Sequence, residues 1–314
     1  MTFTGAGVAL VTPFKDGKVD FSALESLIEW QLENEIDAII SCGTTGEAST
    51  LSEKEQLEVV RFTIDKAGGR VPVIAGAGSN DTKHAAELGK AMADIGADGL
   101  LMVTPYYNKC SEKGLIEHYL TVANRITIPM ILYSVPGRTG VNISPFVVSK
   151  LCRHPNICGI KEASGDIAQA AAIARYCSDR FALYSGNDDC TVPVLSLGGR
   201  GVISTAANIV PYEMHKMVHD YLNGNTKEAT ALQLALKPLI DAIFAEVNPI
   251  PVKAALALMG KIRAEYRLPL CGPSAETMAR LRQEMKRCGL LLPEQQDGNP
   301  KAQQDVKEIN PEHD

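Results

Sequence analysis

The sequence contains no apolar run near the roughly 20 residues that a membrane-spanning helix requires, so we predict no membrane association. It also lacks an excess of positive charge. Acidic residues outnumber basic ones by 37 to 31, which argues against a nucleic-acid partner. Residues 1–5 lack the charged start and apolar core of a signal peptide. The eight cysteines form no C-x-x-C pair, and we interpret them as reduced thiols of a cytoplasmic protein.

Short apolar, β-branched runs recur along the chain, and each gap between them is long enough for a helix. Near-continuous apolar strands are typical of a parallel sheet that is buried on both faces. Eight strand–helix units favour a closed (β/α)8 TIM barrel over an open sheet. The eight predicted strands are residues 7–11, 38–42, 71–75, 99–104, 130–135, 157–161, 181–186 and 201–205.

Helix signals support this alternation. Ser52 and Glu55 have the spacing of a capping box, and Asp20 precedes an amphipathic run over residues 23–32. After about residue 211 the strand signal stops and a small C-terminal helical region follows. Its predicted helices are residues 215–222, 227–245, 251–259 and 274–288. We therefore predict a barrel over residues 1–225, a helical domain over 226–293 and a polar, mobile tail over 294–314.

Lys161 ends the sixth predicted strand. Catalytic residues of such barrels lie at the carboxyl ends of the strands, where this lysine would be partly desolvated. Desolvation disfavours the charged ammonium, so the free amine becomes available to attack a ketone and form a Schiff base. Taken alone, a lysine that ends a strand and extends to water is the simpler interpretation.

Other strand ends carry polar side chains. Thr44 and Thr45 lie between two glycines after the second strand, where hydroxyl and N–H groups can surround a carboxylate or simply form a turn. Tyr133, at the end of the fifth strand, could move protons beside a lysine. Arg138, on the following loop, could hold a carboxylate through two hydrogen bonds.

Two further motifs are interpreted as structural. His215 and His219 have the spacing of a zinc pair, but H-E-x-x-H would require a glutamate between them, and no acidic third ligand is evident from the sequence. The glycine-rich segment over residues 198–201 lacks the lysine and hydroxyl residue of a phosphate-binding loop. We predict no metal site at the first and tight packing at the second.

Five motifs together identify a family resemblance. They are Gly43-Thr44-Thr45-Gly46-Glu47, Thr104-Pro105-Tyr106-Tyr107-Asn108, Tyr133-Ser134-Val135-Pro136-Gly137-Arg138-Thr139-Gly140, Gly159-Ile160-Lys161-Glu162 and Asn248-Pro249-Ile250-Pro251-Val252-Lys253. In this order and spacing they resemble the dihydrodipicolinate synthase family over residues 5–292. The wider family, which includes N-acetylneuraminate lyase and several 2-keto-acid aldolases, shares the barrel and the Schiff-base lysine.

The resemblance implies a lyase that condenses pyruvate with L-aspartate 4-semialdehyde, giving 4-hydroxy-tetrahydrodipicolinate for diaminopimelate and lysine biosynthesis. Lys161 would form the imine, and no cofactor or metal is implied because the lysine supplies the electron sink. Tyr133 would pass protons, with Thr44 linking it to Tyr107. In the family that second tyrosine comes from the neighbouring subunit, which implies a tight homodimer and commonly a tetramer of two such dimers.

The resemblance also implies the substrate-binding residues. Thr45 would hold the pyruvate carboxylate, and Arg138 would bind the carboxylate of the semialdehyde. Gly186 and the Ile203 carbonyl would line the site. A lyase for sialic or sugar acids is the alternative within the enzyme class, and a catalytically inactive ligand-binding relative is the alternative outside it. Arg138 disfavours the first, and the intact catalytic set disfavours the second.

Some members of the family are inhibited by lysine at the dimer interface. The matching positions here are Ala48, Ser49, Glu53, Gln56, Asn80, His84 and Tyr106. Sensitive relatives often have histidine at the position of Gln56 and glutamate at that of His84. Because the negative charge is lost at His84, we expect lysine to inhibit weakly or not at all.

Overall fold

The computed structural model describes residues 3–291, which form a closed barrel of eight parallel strands. Each strand pairs with the next along the chain, and the eighth pairs with the first. The predicted TIM barrel is therefore confirmed. The strands are β1 (Gly5–Ala9), β2 (Ala38–Ser41), β3 (Val73–Gly76), β4 (Gly99–Val103), β5 (Met130–Ser134), β6 (Ile157–Glu162), β7 (Ala182–Ser185) and β8 (Gly201–Ser204).

Helices connect the strands and continue beyond the barrel. They are α1 (Phe21–Glu33), α2 (Glu53–Ala67), α3 (Thr82–Asp94), α4 (Glu112–Ala123), α5 (Pro136–Thr139), α6 (Pro145–Leu151), α7 (Ile167–Ala174), α8 (Thr191–Ser196), α9 (Pro211–Leu222), α10 (Thr226–Ile243), α11 (Ile250–Leu258) and α12 (Ala275–Arg287). The capping box is confirmed: the Ser52 side chain accepts from Glu55 N, and the Glu55 carboxylate accepts from Ser52 N. Asp20 caps α1 in the same way by accepting from Ala23 N.

Two apolar layers form the core. The larger lies between the strands and the surrounding helices. The smaller fills the barrel, and its buried members are Phe3, Ala9, Ala38, Ile40, Ile74, Leu101, Ile131, Tyr133, Val135, Cys158, Ala182, Tyr184 and Ile203. Phe3 stacks on Tyr184 with ring centroids 4.6 Å apart, so aromatic rings occupy the interior near the start of β1.

The first strand differs from its prediction over residues 7–11. It begins at Gly5 and ends at Ala9, while Leu10 and Val11 are buried beyond the strand. Val11 N bonds the Asn208 side chain instead of a strand partner. The apolar character of Leu10 and Val11 therefore reflects burial and not strand pairing. A short hairpin, Phe14–Lys15 with Lys18–Val19, follows and was not predicted.

The chain beyond β8 is helical, as predicted. Helix α9 packs against β1 and α10, and α12 packs against α10 and α11. The division at residue 225 stays a prediction. The proposed tail over residues 294–314 lies outside the described residues. Over residues 3–291 no disulfide joins two cysteines, and no helix is long and apolar enough to cross a membrane.

Candidate active site

Lys161 and Tyr133 lie opposite each other on neighbouring strands at the carboxyl end of the barrel. The register of β5 and β6 pairs these two residues directly. Both are buried, with 6% and 7% of their surfaces exposed, and the Lys161 Nζ lies 4.4 Å from the centroid of the tyrosine ring. An amine held in an apolar barrel against a ring is poorly hydrated, which suits attack on a carbonyl.

The loop after β2 carries Thr44 and Thr45. Thr45 is buried, and its Oγ1 accepts a hydrogen bond of 2.9 Å from Asn248 Nδ2 and lies 3.5 Å from Thr205 Oγ1. Thr44 is half-buried and lines a cavity that Tyr133 also lines. Within residues 3–291 no hydrogen bond joins Thr44 to Tyr133 or Tyr107, so the proton relay stays a prediction.

Arg138 belongs to the short helix α5 that follows β5. Its Nη2 donates to the carbonyl oxygen of Asn248 over 2.9 Å, and the side chain is otherwise exposed toward the same cavity. Asn248 therefore contacts both Thr45 and Arg138, and its own Oδ1 is buried without a hydrogen-bond partner. Asn248 belongs to one of the five motifs, but no role for it follows from the sequence. Its separation of 203 residues from Thr45 hid the contact.

Gly186 and Ile203 lie where the sequence placed them. Gly186 directly follows β7, and its N–H donates to the Glu162 carbonyl over 2.7 Å. A Cβ at this position would lie 2.5 Å from the Cβ of Ala163, so only glycine fits. Ile203 lies in β8 and packs in the barrel interior with Tyr133.

Tyr107 is not brought into the site by its own chain. Its side chain is 91% exposed, and its φ of 71° lies in the left-handed region that a bulky residue rarely adopts. Tyr106, by contrast, lines the cavity. The two tyrosines thus point in different directions.

A cavity of about 550 Å³ is lined by Thr44, Tyr133 and Arg138, and also by Gln56 and His84. Some of the predicted catalytic and substrate-binding residues therefore share one space with two of the positions matched to the lysine-inhibition site.

Asp188 is a second residue that the sequence analysis left without a role. Its carboxylate accepts hydrogen bonds from Thr205 N and Ala206 N, and its Oδ1 has no partner. Burial raises the pKa of Asp188, and hydrogen bonds from Ser204, Ala206 and Thr205 oppose that rise, with a smaller opposing contribution from the positive charge of Lys161. A buried acid therefore lies within electrostatic reach of the lysine. Its place in the loop after β7 was the available signal.

The histidine pair has an acidic neighbour that the sequence did not reveal. Asp37 lies between His215 and His219, with its two carboxylate oxygens 3.0 and 2.9 Å from the facing ring nitrogens. The sequence analysis found no acidic third residue because Asp37 is 178 residues from His215 along the chain.

Comparison with known proteins gives the family. A model of the dihydrodipicolinate synthetase family matches residues 2–288. The chain belongs to this family. The 4-hydroxy-tetrahydrodipicolinate synthase of Clostridium tetani is 50% identical over 290 residues, which cover 92% of this chain and 99% of the relative.

Solved structures of family members agree with the fold. Dihydrodipicolinate synthase from Thermotoga maritima superposes with a TM-score of 0.91 at 43% identity, covering 93% of this chain and 100% of the other. The enzyme from Acinetobacter baumannii, solved with pyruvate, gives a TM-score of 0.90 at 43% identity over 92% and 99% of the two chains. The family resemblance and the barrel predicted from the sequence are both confirmed.

Proposed function

We propose that the chain is a lyase that condenses pyruvate with L-aspartate 4-semialdehyde to give 4-hydroxy-tetrahydrodipicolinate. The observation that carries the proposal is the buried Lys161, held against Tyr133 at the carboxyl end of a dihydrodipicolinate synthetase barrel. The identity of the curated relatives supports the same activity. The product belongs to lysine and diaminopimelate biosynthesis, and we propose that the enzyme works in the cytoplasm.

In the proposed chemistry, Lys161 Nζ attacks the ketone carbon of pyruvate, and water leaves as the imine forms. The cationic imine withdraws electrons, so the methyl carbon loses a proton and becomes a carbon nucleophile. That carbon attacks the aldehyde carbon, forming the new C–C bond, and the aldehyde oxygen takes up a proton to become the hydroxyl group. The amine of the semialdehyde then attacks the imine carbon and displaces Lys161 Nζ, which closes the ring and frees the lysine. Tyr133, whose ring contacts the lysine, passes the protons.

The proposed substrate contacts are those that the family resemblance implies. Thr45 holds the pyruvate carboxylate, and Asn248 fixes the orientation of its hydroxyl. Arg138 binds the carboxylate of the semialdehyde through its guanidinium. Gly186 and the Ile203 carbonyl line the pocket without side chains that would fill it.

We also propose that Tyr107 completes the relay with Thr44 and Tyr133 in a neighbouring subunit. The exposure of Tyr107 and its left-handed backbone support this, since neither is explained by contacts within one chain. The proposal implies a tight dimer, two of which form a tetramer.

Borohydride reduction with pyruvate tests the covalent step. The reduced adduct should appear on the peptide that contains Lys161, and Lys161→Ala should abolish both the adduct and turnover in a coupled assay with the semialdehyde. Lys253→Ala is unsuitable as a control because that lysine is fully buried, whereas Lys150→Ala, at an exposed position of α6, should leave the adduct unchanged. An adduct on any other lysine would refute the assignment.

A further inference from the structure

Asp37, His215 and His219 form a cluster at the end of the barrel away from Lys161. Asp37 immediately precedes β2, so it lies where the strands begin, whereas Lys161 lies where they end. The two histidines are one turn apart on α9, with rings stacked 4.1 Å apart. The candidate ligand atoms of the three residues all lie within 4.8 Å of one another.

The Asp37 carboxylate is held firmly in this position. Its Oδ2 accepts from Ala6 N over 2.7 Å, and its own N–H donates to the Ala6 carbonyl. Gly5 leaves room for the carboxylate, because a Cβ at that residue would lie 2.0 Å from Asp37 Oδ2. The backbone of β1 therefore aims this side chain at the two imidazoles.

His215 lies between two carboxylates. Asp37 Oδ2 lies 3.0 Å from its Nδ1, and Glu35 Oε2 lies 3.7 Å from its Nε2. Both ring nitrogens of His215 thus face carboxylate oxygens. In a metal-bound imidazole the lone pair of Nδ1 binds the ion that Asp37 also binds, and the remaining Nε2–H faces Glu35. Metal-binding histidines commonly have such a carboxylate behind the ring.

We propose that this cluster binds one divalent transition-metal ion of the Zn²⁺ type. The ligands are His215 Nδ1, His219 Nε2 and the Asp37 carboxylate, with solvent at a fourth position. Two imidazoles and one carboxylate are a ligand set that Zn²⁺ accepts, with bonds of about 2.0–2.2 Å. The side chains are 16–37% exposed, which gives an ion access from solvent.

The proposed ion is structural. It would join α9, the helix that follows the last strand, to the start of β2 and, through the Ala6 hydrogen bonds, to β1. Binding only to the folded state stabilises that state, so saturating metal should raise the melting temperature. Steady-state activity should stay the same, because the cluster lies at the opposite end of the barrel from Lys161. A failure to bind metal would therefore not contradict the proposed function, and a failure of the proposed activity would not contradict the metal site.

Co²⁺ spectroscopy and Zn²⁺ equilibrium dialysis test the proposal on the intact chain. We expect one Co²⁺ per chain with the visible absorption of a four-coordinate nitrogen–oxygen site, and competition by Zn²⁺. His219→Ala should abolish this signal and the thermal stabilisation by Zn²⁺. His154→Ala, on a histidine that contacts Asn124 elsewhere, is the matched control and should change neither.

A second variant separates metal binding from simple packing. Glu35→Gln keeps the size of the side chain behind His215 but removes its charge, so metal affinity should fall by about 10-fold or more while the metal-free melting temperature stays near wild type. The proposal is overturned if no Co²⁺ binds, if His219→Ala binds it equally well, or if near-ultraviolet thiolate bands place the ion on cysteine. It is also overturned if the melting temperature changes with pH but not with added Zn²⁺.

Discussion

Lys161 depends on strand register for its neighbours. Tyr133 is 28 residues away along the chain, yet the pairing of β5 with β6 sets the two directly opposite each other. The same register makes both side chains face the barrel interior. Side chains on a strand alternate between its two faces. A lysine placed one residue later in β6 would face the surrounding helices, so a shift of one residue would remove the proposed nucleophile from the barrel interior.

Arg138 gives a prediction at the scale of one residue. Arg138→Ala should leave pyruvate adduct formation largely intact and weaken use of the semialdehyde, because only the second substrate loses a carboxylate contact. We expect a loss of about 2–4 kcal/mol in kcat/KM for the condensation. Arg138→Lys keeps the positive charge but lacks the planar guanidinium, so its kcat/KM for the condensation should lie between that of the wild type and that of Arg138→Ala. Collapse of adduct formation with an unchanged aldehyde KM would contradict the role.

The positions of Lys161 and Tyr133 at the mouth of the barrel could be predicted from the sequence, because each lies at the end of an apolar run, and the structure places both there. Gly186 and Ile203 were implied only by the family resemblance, and their roles stay predictions. Contacts between distant segments could not be predicted, because periodicity records local burial and not which segments meet. The contact of Asn248 with Thr45 and that of Asp37 with His219 are both of this kind.

At the scale of elements, the loop between β2 and α2 is anchored by a buried ion pair. The Lys253 ammonium on α11 bonds the Glu47 carboxylate, and neither side chain is exposed. Burial lowers the pKa of Lys253, and the negative charge of Glu47 opposes that fall. The rings of Phe14 and Tyr266 lie 4.2 and 5.3 Å from the ammonium. This anchor fixes the end of the loop that carries Thr45.

Breaking this pair on one side should be more harmful than removing both charges. Lys253→Met alone leaves a buried carboxylate without its cation and should cost about 3–5 kcal/mol in the free energy of unfolding. Adding Glu47→Gln should recover most of that loss. Lys237→Met, which removes a surface partner of Asp241, should cost less than about 1 kcal/mol. Urea unfolding measures all three, and a double variant no more stable than Lys253→Met would contradict the explanation.

Arg267 connects the same region to helix α2. Its guanidinium bonds both oxygens of Glu55 and the carbonyls of Thr50 and Gly17. Arg267 lowers the pKa of Glu55 from 4.5 to about 2, and burial opposes that shift. Because the folded-state pKa is depressed, the resulting stability is present above about pH 4.5 and is lost as the pH falls toward about 2.

Glu55→Gln should therefore be less stable than wild type at pH 7. We expect a difference of about 1–2 kcal/mol, reduced by solvent screening of this partly exposed pair. The difference should shrink as the pH falls from 4.5 to about 2, where the wild-type carboxylate is also neutral. Glu58→Gln, in an exposed pair with Lys54, is the control and should be nearly neutral at every pH. Urea unfolding across this range decides it, and a pH-independent difference would contradict the electrostatic cause.

At the scale of the whole molecule, Tyr107 predicts an active site shared between subunits. Co-expression of a Tyr107→Phe chain with a Lys161→Ala chain should produce hybrid dimers with one intact site. Random pairing gives about one quarter of wild-type activity. The control pairs Tyr133→Phe with Lys161→Ala, two residues of the same subunit's site, and should give no recovery. Equal, low activity in the two mixtures would mean that Tyr107 acts within its own chain, whereas about half of wild-type activity in the first mixture would mean that Tyr107 has no role.

Inhibition by lysine also concerns the whole assembly, because the family resemblance implies an inhibitor site at the dimer interface. Glu53 lies 3.4 Å from His84, and the Gln56 amide donates to the carbonyls of Ala48 and Leu51. Glu53 and Gln56 are therefore already engaged and cannot replace the glutamate that sensitive relatives have at the position of His84. A hydrogen bond between such a carboxylate and an amine is worth about 1.5–3 kcal/mol. We expect weak or no inhibition in a lysine titration of initial rates, and increased inhibition in His84→Glu. Saturating inhibition of the wild type at submillimolar lysine would contradict this expectation.

The double contact of Asn248 limits how this protein can be divided or recombined. Its side chain fixes the Thr45 hydroxyl and its carbonyl holds Arg138, although it lies beyond the last barrel strand. A barrel transplanted without this segment would keep the nucleophile but lose the groups that orient two predicted substrate contacts. Chimaeras between family members should therefore exchange the β2 loop, α5 and the start of α11 as one unit.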